Sequence, residues 1–287
     1  MGLRSFHHSD FPAQRLCAER GESISVCVPA REEAATIAGV VGPLLALRAA
    51  GVVDQVVVVD ADSADGTGAI AVRLGAEVHA EAELLPAYGP VVGKGDAMWR
   101  ALSVLTGDLV CFVDGDTEDF GEHLACGVLG PLVCEPRVQF VKGFFRRPFK
   151  MRDRTEPSGG GRVTELTARP LLEAFYPALA SMRQPLAGEM AARRELLERT
   201  AFCTGYAIEM GLLLDVYALV GLEGMAQVDL DVRQNRHQPI EELAGMSAAV
   251  LAAVTSRLRR EGRLLEPAAG ELLERPALAD LRALGPG

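Results

Sequence analysis

The sequence predicts an α/β fold built on a mostly parallel, doubly wound sheet flanked by helices. Between Ile24 and Asp116, short apolar runs alternate with segments of helical spacing, which is typical of a parallel sheet. Polar clusters follow the predicted strands, at the edge where open α/β sheets bind their ligands. A chain of 287 residues can bury a full core. We expect two halves of one domain, residues 1–118 and 119–258, followed by a tail at 259–287.

Each strand is predicted from a short apolar run bounded by turn residues, and each helix from apolar residues at helical spacing. The predicted strands are Ile24–Val28, Val52–Val59, Glu77–Ala80, Leu109–Val113, Val138–Phe144 and Ala226–Val232. The predicted helices are Ala34–Ala50, Ala69–Leu74, Ala97–Leu105, His123–Val133, Val163–Phe175, Ala191–Arg199, Gly205–Val220 and Ala244–Leu258. The last helix is apolar enough either to pack within the subunit or to form the face of a homodimer.

The composition is that of a globular enzyme, with 49% hydrophobic and 24% charged residues. A formal net charge of −10 argues against a nucleic-acid partner, so an anionic substrate needs a local pocket of Arg and Lys, or a metal. The 6 Cys residues lack metal-binding spacing and are expected as buried thiols in a reducing cytosol. The adjacent His7 and His8 are either a metal-binding pair or a partly packed surface pair. With no signal peptide and no membrane-spanning run in the sequence, we expect a cytoplasmic protein with no membrane partner.

Asp114 and Asp116 follow the predicted strand Leu109–Val113 and are separated by Gly115. Two carboxylates so close repel each other unless a cation lies between them. A divalent metal (Mg²⁺, with Mn²⁺ or Co²⁺ as alternatives) prefers oxygen ligands and would neutralise a departing nucleoside diphosphate. His237 follows the last strand and is a further candidate metal ligand. For the two aspartates alone, the alternative is an acidic turn after a strand.

Three segments at strand ends are candidate contacts of a nucleotide. Pro29–Glu33 offers backbone groups and the Glu33 carboxylate to a base and ribose, although acidic residues there also suit a helix N-terminus. Asp62 and Ser63 either contact the nucleotide or form a capping turn. Lys94 lies between two glycines and is predicted to contact a phosphate or ribose. The sequence contains neither a complete dinucleotide-binding fingerprint after its first strand nor a P-loop.

The segment Gly159–Thr164 is a candidate anion-binding loop for a second substrate. It places backbone N–H groups, the Arg162 guanidinium and the Thr164 hydroxyl at the start of a helix, which suits a phosphate or a carboxylate. The alternative is a flexible linker. Glu209, near Tyr206 on an apolar helix, is a candidate buried carboxylate that orients or deprotonates an acceptor hydroxyl.

Six motifs together resemble those of a known family. They are Pro29–Glu33, Asp114–Asp116, Gly161–Thr167, Pro185–Glu189, Thr204–Glu209 and Ala226–Leu230. They are similar to those of the glucosyl-3-phosphoglycerate synthases of actinobacteria, over roughly Ser5 to Leu258. The motifs of the second half are the specific part, because the first half fits many nucleotide-sugar glycosyltransferases. The resemblance implies a GT-A fold, a divalent metal, and transfer of glucose from a nucleoside diphosphate sugar to the 2-hydroxyl of 3-phosphoglycerate with retained anomeric configuration.

The resemblance also implies roles for individual residues. It implies that the nucleotide contacts are Pro29, Ala30, Glu33, Ser63 and Lys94, and that Asp116 binds the metal. It also implies that Gly161, Arg162 and Thr164 hold the acceptor and that Glu209 lies at the reacting sugar. Beyond the resemblance, we expect further donor contacts at Arg31, Asp62, Asp114 and Gly115, further acceptor contacts at Val163 and Asn235, and Asp114 and Tyr206 as catalytic candidates with Glu209. The family's metal histidine aligns with Asn235, two residues before His237. The second metal ligand is therefore His237, after a shift of the loop, or Asn235 itself.

Three alternative functions stay open at this point. A mannosyl-3-phosphoglycerate synthase using GDP-mannose shares this sequence type. A sugar-phosphate nucleotidyltransferase also uses a nucleotide-binding sheet and a metal, but needs a glycine-rich N-terminal phosphate loop that this chain lacks. A non-catalytic nucleotide-binding module would bind the donor and never release a nucleoside diphosphate.

Overall fold

The computed structural model describes residues 2–146, 149–151, 154–156, 161–233, 240–264 and 273–283. The strands are β1 (Arg4–His7), β2 (Ile24–Ala30), β3 (Gln55–Asp60), β4 (Glu77–Ala80), β5 (Leu109–Phe112), β6 (Phe140–Arg146), β7 (Phe149–Met151), β8 (Arg154–Glu156), β9 (Met190–Arg193), β10 (Phe202–Cys203), β11 (Met225–Val232) and β12 (Glu274–Arg275). The helices are α1 (Ala13–Glu19), α2 (Ile37–Ala49), α3 (Thr67–Leu74), α4 (Gly93–Ala101), α5 (Glu122–Cys134), α6 (Arg169–Phe175), α7 (Arg194–Glu198), α8 (Ile208–Val220), α9 (Ile240–Arg260) and α10 (Leu278–Ala283).

Eight strands of the described chain form one twisted sheet in the order β1-β11-β6-β9-β5-β2-β3-β4. All neighbouring pairs are parallel except those made by β9, which runs antiparallel to both β5 and β6. The mostly parallel sheet is therefore as the sequence predicts. The carboxyl ends of seven strands meet at one edge of this sheet, where α/β folds bind ligands. Strands from both predicted halves, 1–118 and 119–258, share the sheet, and the boundary between them stays a prediction.

The predicted helix Ala191–Arg199 is wrong in its first part, because Met190–Arg193 is the central strand β9 and only Arg194–Glu198 is helical. Ala191 pairs with Cys111 on one side and with Val141 on the other, and it is fully buried. Alanine favours helices in isolation, but here its small side chain fits between two strands, and packing overrides propensity. The sequence analysis also missed β1, which pairs with β11 at the edge of the sheet.

The two faces of the sheet carry separate apolar layers. One layer is packed by α1, α2 and α5, with buried residues such as Leu16, Leu44 and Val128. The other is packed by α4, α8 and α9, with residues such as Trp99 and Val254. The helix predicted at Ala244–Leu258 thus packs within the subunit as part of α9. Among the described residues, no helix combines the length and apolar character that a membrane span requires.

The first turn of α4 is held by a segment far away in the chain. The helix starts at Gly93, four residues earlier than predicted, so Lys94 lies in its first turn. Asp96 is fully buried, and its carboxylate accepts from the backbone N–H of Val92 at 2.9 Å. The Arg275 guanidinium pairs with the same carboxylate at 2.7 and 2.8 Å. Since this contact comes from β12, residues beyond position 258 fix the helix that presents Lys94.

Candidate active site

A cavity of about 750 Å³ opens at the carboxyl edge of the sheet, between the strand ends and α9. Its walls come from the ends of β2 and β5, the start of α4, the segments 161–165, 184–188 and 205–209, Arg233, and the side of α9. Of the residues predicted from the sequence, the cavity is lined by Pro29, Ala30, Arg31, Glu33, Lys94, Asp114, Gly115, Asp116, Gly161, Arg162, Val163, Thr164, Tyr206 and Glu209. Residues up to 180 positions apart in the sequence, from Pro29 to Glu209, thus reach one space. Asn235 and His237 lie outside the described residues.

Asp114 lies at the centre of a charged cluster on the floor of the cavity. The Lys94 ammonium donates to Asp114 Oδ1 at 2.7 Å and to Glu209 Oε1 at 2.8 Å. The Arg233 guanidinium donates from Nη1 to Asp114 Oδ2 at 3.2 Å. Burial alone would raise the pKa of Asp114, but the two cations outweigh it and hold that pKa well below its usual range. Asp114 is therefore a permanent carboxylate held between two cations.

Arg233 joins three carboxylates from three parts of the chain. Besides Asp114, it donates from Nη2 to Asp116 Oδ1 at 3.1 Å and from Nη1 to Glu189. The Arg233 side chain and Glu189 are both fully buried, and burial alone would lower the pKa of this guanidinium. The surrounding carboxylates, Glu189 first, instead raise the pKa of Arg233. Breaking such a buried pair leaves an uncompensated charge in a low dielectric, which is strongly destabilising.

Sequence reasoning missed Arg233 and Glu189 as site residues. Arg233 comes one residue after β11, and Glu189 one residue before β9. The sequence pattern could have indicated Arg233, because a cation directly after a strand lies at the same edge as the aspartates after β5. It could not indicate Glu189, because the incorrectly predicted helix at 191–199 placed no strand next to this residue.

Lys142 is a further buried cation beneath the site. It lies in the middle of β6, is fully buried, and donates from Nζ to the backbone carbonyl of Ala187 in the cavity wall. Burial lowers the pKa of Lys142 to about 8, although nearby carboxylates, Glu209 first, act in the opposite direction. The ammonium therefore supports the segment 184–188 from below.

Gly188 is required by the close approach of the backbone to Asp114. A Cβ atom at position 188 would lie 2.2 Å from Asp114 Oδ1, far inside contact distance. A glycine thus lets the chain pass directly beside the carboxylate before entering β9. This is a physical reason for the glycine in the Pro185–Glu189 motif.

The predicted anion-binding segment begins at Gly161, whose φ of +80° is a left-handed conformation that suits glycine. The chain then enters a helix whose first part, Thr164–Ala168, has π-type spacing and continues directly into α6. Thr164 is 7% exposed and lines the cavity together with Arg162. A helix N-terminus with a guanidinium beside it is a favourable place for a phosphate or carboxylate.

Asp62 and Ser63 are not among the residues that line the cavity. The Ser63 hydroxyl donates to Asp60 Oδ1 at 2.6 Å and accepts from the backbone N–H of Glu32 at 2.9 Å. Glu32 and Asp62 both have positive φ angles, 55° and 57°. Ser63 therefore fixes the turn after β2, and the role of these two residues in donor binding stays a prediction.

The residues present fit a divalent metal of the Mg²⁺ or Mn²⁺ type. Asp114 and Asp116 offer carboxylate oxygens, the ligands that such hard cations prefer. Arg233 spans both side chains, so their oxygens already face a common positive charge. Of the two, Asp116 is the more accessible, with 48% of its side chain exposed against 21% for Asp114.

Comparison with known proteins defines the class to which this fold and site belong. Residues 25–197 match the family model described as Glycosyl transferase family 2. The chain thus belongs to the family 2 glycosyltransferases and has a GT-A-type fold.

The relatives narrow this class. The chain is 45% identical to a glucosyl-3-phosphoglycerate synthase of Mycolicibacterium smegmatis over 240 residues, covering 84% of this chain and 79% of the relative. It is 38% identical to the synthase of Petrotoga mobilis over 267 residues, covering 91% and 82%. The chain belongs to the glucosyl-3-phosphoglycerate synthase family, as the sequence motifs predict.

Solved structures agree with this placement. A mannosyl-3-phosphoglycerate synthase from Rubrobacter xylanophilus superposes with a TM-score of 0.89 at 46% identity, covering 97% of this chain and 96% of that one. A glucosyl-3-phosphoglycerate synthase from Mycobacterium tuberculosis, in complex with Mn²⁺, UDP-glucose and phosphoglyceric acid, gives a TM-score of 0.85 at 37% identity, covering 98% and 99%.

Proposed function

We propose that this protein transfers glucose from a nucleoside diphosphate glucose to the 2-hydroxyl of 3-phosphoglycerate, with retention of the anomeric configuration. The observation that carries the proposal is one cavity that joins the Asp114–Asp116 pair to the Arg162–Thr164 segment. A metal-binding carboxylate pair and an anion-binding helix start are what a sugar donor and an acidic acceptor require. The curated relatives named above are glucosyl-3-phosphoglycerate synthases, and the mycobacterial structure holds UDP-glucose and phosphoglyceric acid.

The donor binds at the strand ends. The nucleoside is contacted by Pro29, Ala30, Arg31 and Glu33. Behind these residues, Asp62 and Ser63 complete the donor site, and Gly115 lies beneath the diphosphate. Asp116 holds the metal, completed by His237 or Asn235. A divalent metal bound there neutralises charge on the departing diphosphate as a Lewis acid. The Lys94 ammonium, already paired with Asp114 and Glu209, adds a second positive charge to the same region.

The acceptor binds on the opposite wall of the cavity. Its phosphate or carboxylate is held by Gly161, Arg162, Val163 and Thr164, and Asn235 is a further proposed acceptor contact. Arg162 brings a positive charge to this wall of the cavity in a chain of net charge −10. A guanidinium beside a helix start suits an acceptor with anionic groups.

Glu209 and Asp114 lie close together because both accept from the Lys94 ammonium. Glu209 is 7% exposed and lies with Tyr206 at the start of α8, facing the cavity. We infer that Glu209 orients the reacting sugar and the acceptor hydroxyl, with Asp114 and Tyr206 in supporting positions. Since both carboxylates are engaged by Lys94, the acceptor approaches on the face from which the diphosphate leaves, rather than after a covalent intermediate.

The Asp116→Ala variant tests the metal-binding role. We expect turnover with UDP-glucose and 3-phosphoglycerate to fall to background while the circular dichroism spectrum stays unchanged. The matched control is Glu118→Ala, an exposed acid two residues further on that does not line the cavity, and it should retain activity. Near-normal activity of Asp116→Ala would remove this residue from the metal site.

A mannosyl donor is the second candidate, because the Rubrobacter xylanophilus structure is a mannosyl-3-phosphoglycerate synthase. Competition between UDP-glucose and GDP-mannose in one reaction, with the product resolved by mass and by NMR, separates the two activities. Mannosylated product in excess would replace the glucosyl assignment. The NMR coupling of the anomeric proton also tests retention.

We propose in addition that the protein acts as a cytoplasmic homodimer. The cysteines are all free thiols, which suits a reducing compartment. Leu166 and Leu251 are 77% and 45% exposed on contacting helical segments, which favours self-association. Sedimentation equilibrium tests the dimer, and a monomer mass at micromolar concentration would refute it.

A further inference from the structure

A cluster of two imidazoles and one carboxylate lies at the carboxyl edge of the sheet, outside the cavity. His8 Nε2 lies 2.7 Å from Asp231 Oδ2, and His7 Nε2 lies 3.4 Å from Asp231 Oδ1. One ligand atom from each of the three residues lies within 4.8 Å of the other two. We call this the His7–His8–Asp231 cluster.

The cluster is built by the edge strand that sequence analysis did not anticipate. β1 runs parallel to β11, and His7 at the end of β1 pairs with Asp229. β11 then turns at an irregularity between Asp229 and Val232, where Asp231 has a φ of +66°. A positive φ is uncommon for a residue with a side chain, and here it brings the Asp231 carboxylate toward the two histidines.

Neighbouring groups hold both imidazoles in place. His7 Nδ1 is 2.8 Å from the Ser9 hydroxyl, which leaves Nε2 facing the carboxylate. The His8 ring contacts that of His123 from α5, with centroids 4.8 Å apart. Of the two rings, His7 has partners at its second nitrogen, where the Ser9 hydroxyl and the Ser9 backbone N–H lie 2.8 and 3.2 Å from Nδ1. Imidazoles that bind metals are generally oriented by a partner at that position.

We propose that the His7–His8–Asp231 cluster binds a Zn²⁺-type ion, separate from the metal of the reaction. Two imidazole nitrogens with one carboxylate oxygen favour borderline ions such as Zn²⁺ or Co²⁺ over Mg²⁺, which prefers oxygen alone. Tetrahedral zinc with bonds of about 2.0–2.1 Å places its ligand atoms about 3.3 Å apart. The two imidazoles contact different oxygens of the Asp231 carboxylate. The 3.4 Å between His7 Nε2 and Oδ1 matches this spacing, whereas the 2.7 Å between His8 Nε2 and Oδ2 has to open by about half an ångström.

The guanidinium that contacts the cluster, that of Arg146, is exposed and can move away from Asp231. The Arg146 guanidinium lies 3.3 Å from Asp231 Oδ1, but 66% of this side chain is exposed. An exposed ion pair contributes little to stability, so a metal ion displaces it at small cost. Solvent supplies the fourth ligand.

An ion at this cluster would fix the strand end that presents Arg233. Asp231 precedes Arg233 by two residues, and on the neighbouring strand His7 is the last residue of β1 and His8 follows it. Binding to the folded chain alone would also raise the temperature of unfolding as zinc is added. The site thus links the N-terminal segment to the charged cluster on the cavity floor.

Zinc titration of untagged, metal-free protein tests the proposal, with a chromophoric chelator as competitor and Mg²⁺ in excess. We expect the wild type to bind one Zn²⁺ per chain. The variants His8→Ala, His8→Gln and Asp231→Asn should bind it at least about 10-fold more weakly, because losing a group that merely hydrogen-bonds to a metal ligand already lowers metal affinity by about that factor. His79→Ala is the matched control, because His79 pairs with Glu77 at 2.8 Å on the opposite edge strand and should leave zinc affinity unchanged. Asp116→Ala should also retain the zinc.

Two outcomes overturn the proposal. One is unchanged zinc affinity in the His7→Ala/His8→Ala double variant, with folding verified by circular dichroism. The other is loss of the zinc in Asp116→Ala, which would place the ion in the cavity. Co²⁺ gives a second readout, because its visible absorption in an imidazole-carboxylate site should disappear in His8→Gln while the protein stays folded.

Discussion

Replacing Arg233 by Met removes the cation that joins three carboxylates while keeping a long apolar side chain. Glu189 is fully buried and would lose its guanidinium partner, and Asp114 would keep only the Lys94 contact among those described for the wild type. Removing one partner of a buried ion pair costs about 3–5 kcal/mol, because the other charge stays in a low dielectric. We expect the free energy of unfolding to fall by that amount.

Urea unfolding in a buffer with a chelator measures this loss. The matched control is Arg4→Met, since Arg4 pairs with Glu135 at 3.0 Å while both side chains are about one third exposed. An exposed pair contributes about 0–1 kcal/mol, so the control should unfold near the wild-type midpoint. The contrast separates the buried cluster from a general effect of removing an arginine.

A second substitution tests whether the buried charge of Glu189 causes this loss of stability. Glu189→Gln in the Arg233→Met background removes the buried carboxylate charge that faced the lost guanidinium, so the double variant should be more stable than the sum of the two single losses predicts. Residues in one network typically couple by about 0.5–3 kcal/mol. A loss below about 1 kcal/mol for Arg233→Met, or strict additivity in the double variant, would refute the proposed buried charge network.

Three further variants test other parts of the site. Arg162→Ala should chiefly raise the KM for 3-phosphoglycerate, and an unchanged KM in steady-state kinetics would remove Arg162 from the acceptor site. Gly188→Ala should abolish activity and lower stability by about 1–3 kcal/mol, because its Cβ would lie 2.2 Å from Asp114 Oδ1; wild-type kinetics would contradict this close approach. Lys142→Met tests a pH dependence. Burial lowers the pKa of Lys142 from 10.5 in the unfolded chain to about 8 in the folded protein, so between pH 8 and pH 10.5 the unfolded chain binds more protons than the folded one. The stability of the wild type relative to Lys142→Met, measured by urea unfolding, should therefore rise with pH across that window by up to about 3 kcal/mol, and a pH-independent difference would contradict it.

Much of the site follows from the sequence because parallel strands end at one edge. Once the apolar run at 109–113 is taken as a strand, Asp114 and Asp116 must lie beside the end of β2, where Pro29 and Ala30 are found. Lys94 was predicted as a phosphate or ribose contact from its place between two glycines, although its partners, Asp114 and Glu209, depend on packing that no local pattern encodes.

The part that the sequence did not predict depends on contacts between distant segments. β9 has an alanine-rich sequence that favours a helix, and only the fit of small side chains between β5 and β6 makes it a strand. The error at β9 hid Glu189, and with it the buried partner of Arg233. Likewise, the histidine pair at positions 7 and 8 has no carboxylate neighbour in the sequence, because Asp231 joins it only through the pairing of β1 with β11.

The most direct test of the account is nucleoside diphosphate release by the purified protein with Mg²⁺, measured with and without 3-phosphoglycerate for UDP-glucose, GDP-glucose and GDP-mannose. The account predicts release that requires 3-phosphoglycerate and is fastest with a glucose donor. If no donor gives acceptor-dependent release, the assignment of the Gly161–Thr164 segment as the acceptor site is wrong, and with it the proposed reaction.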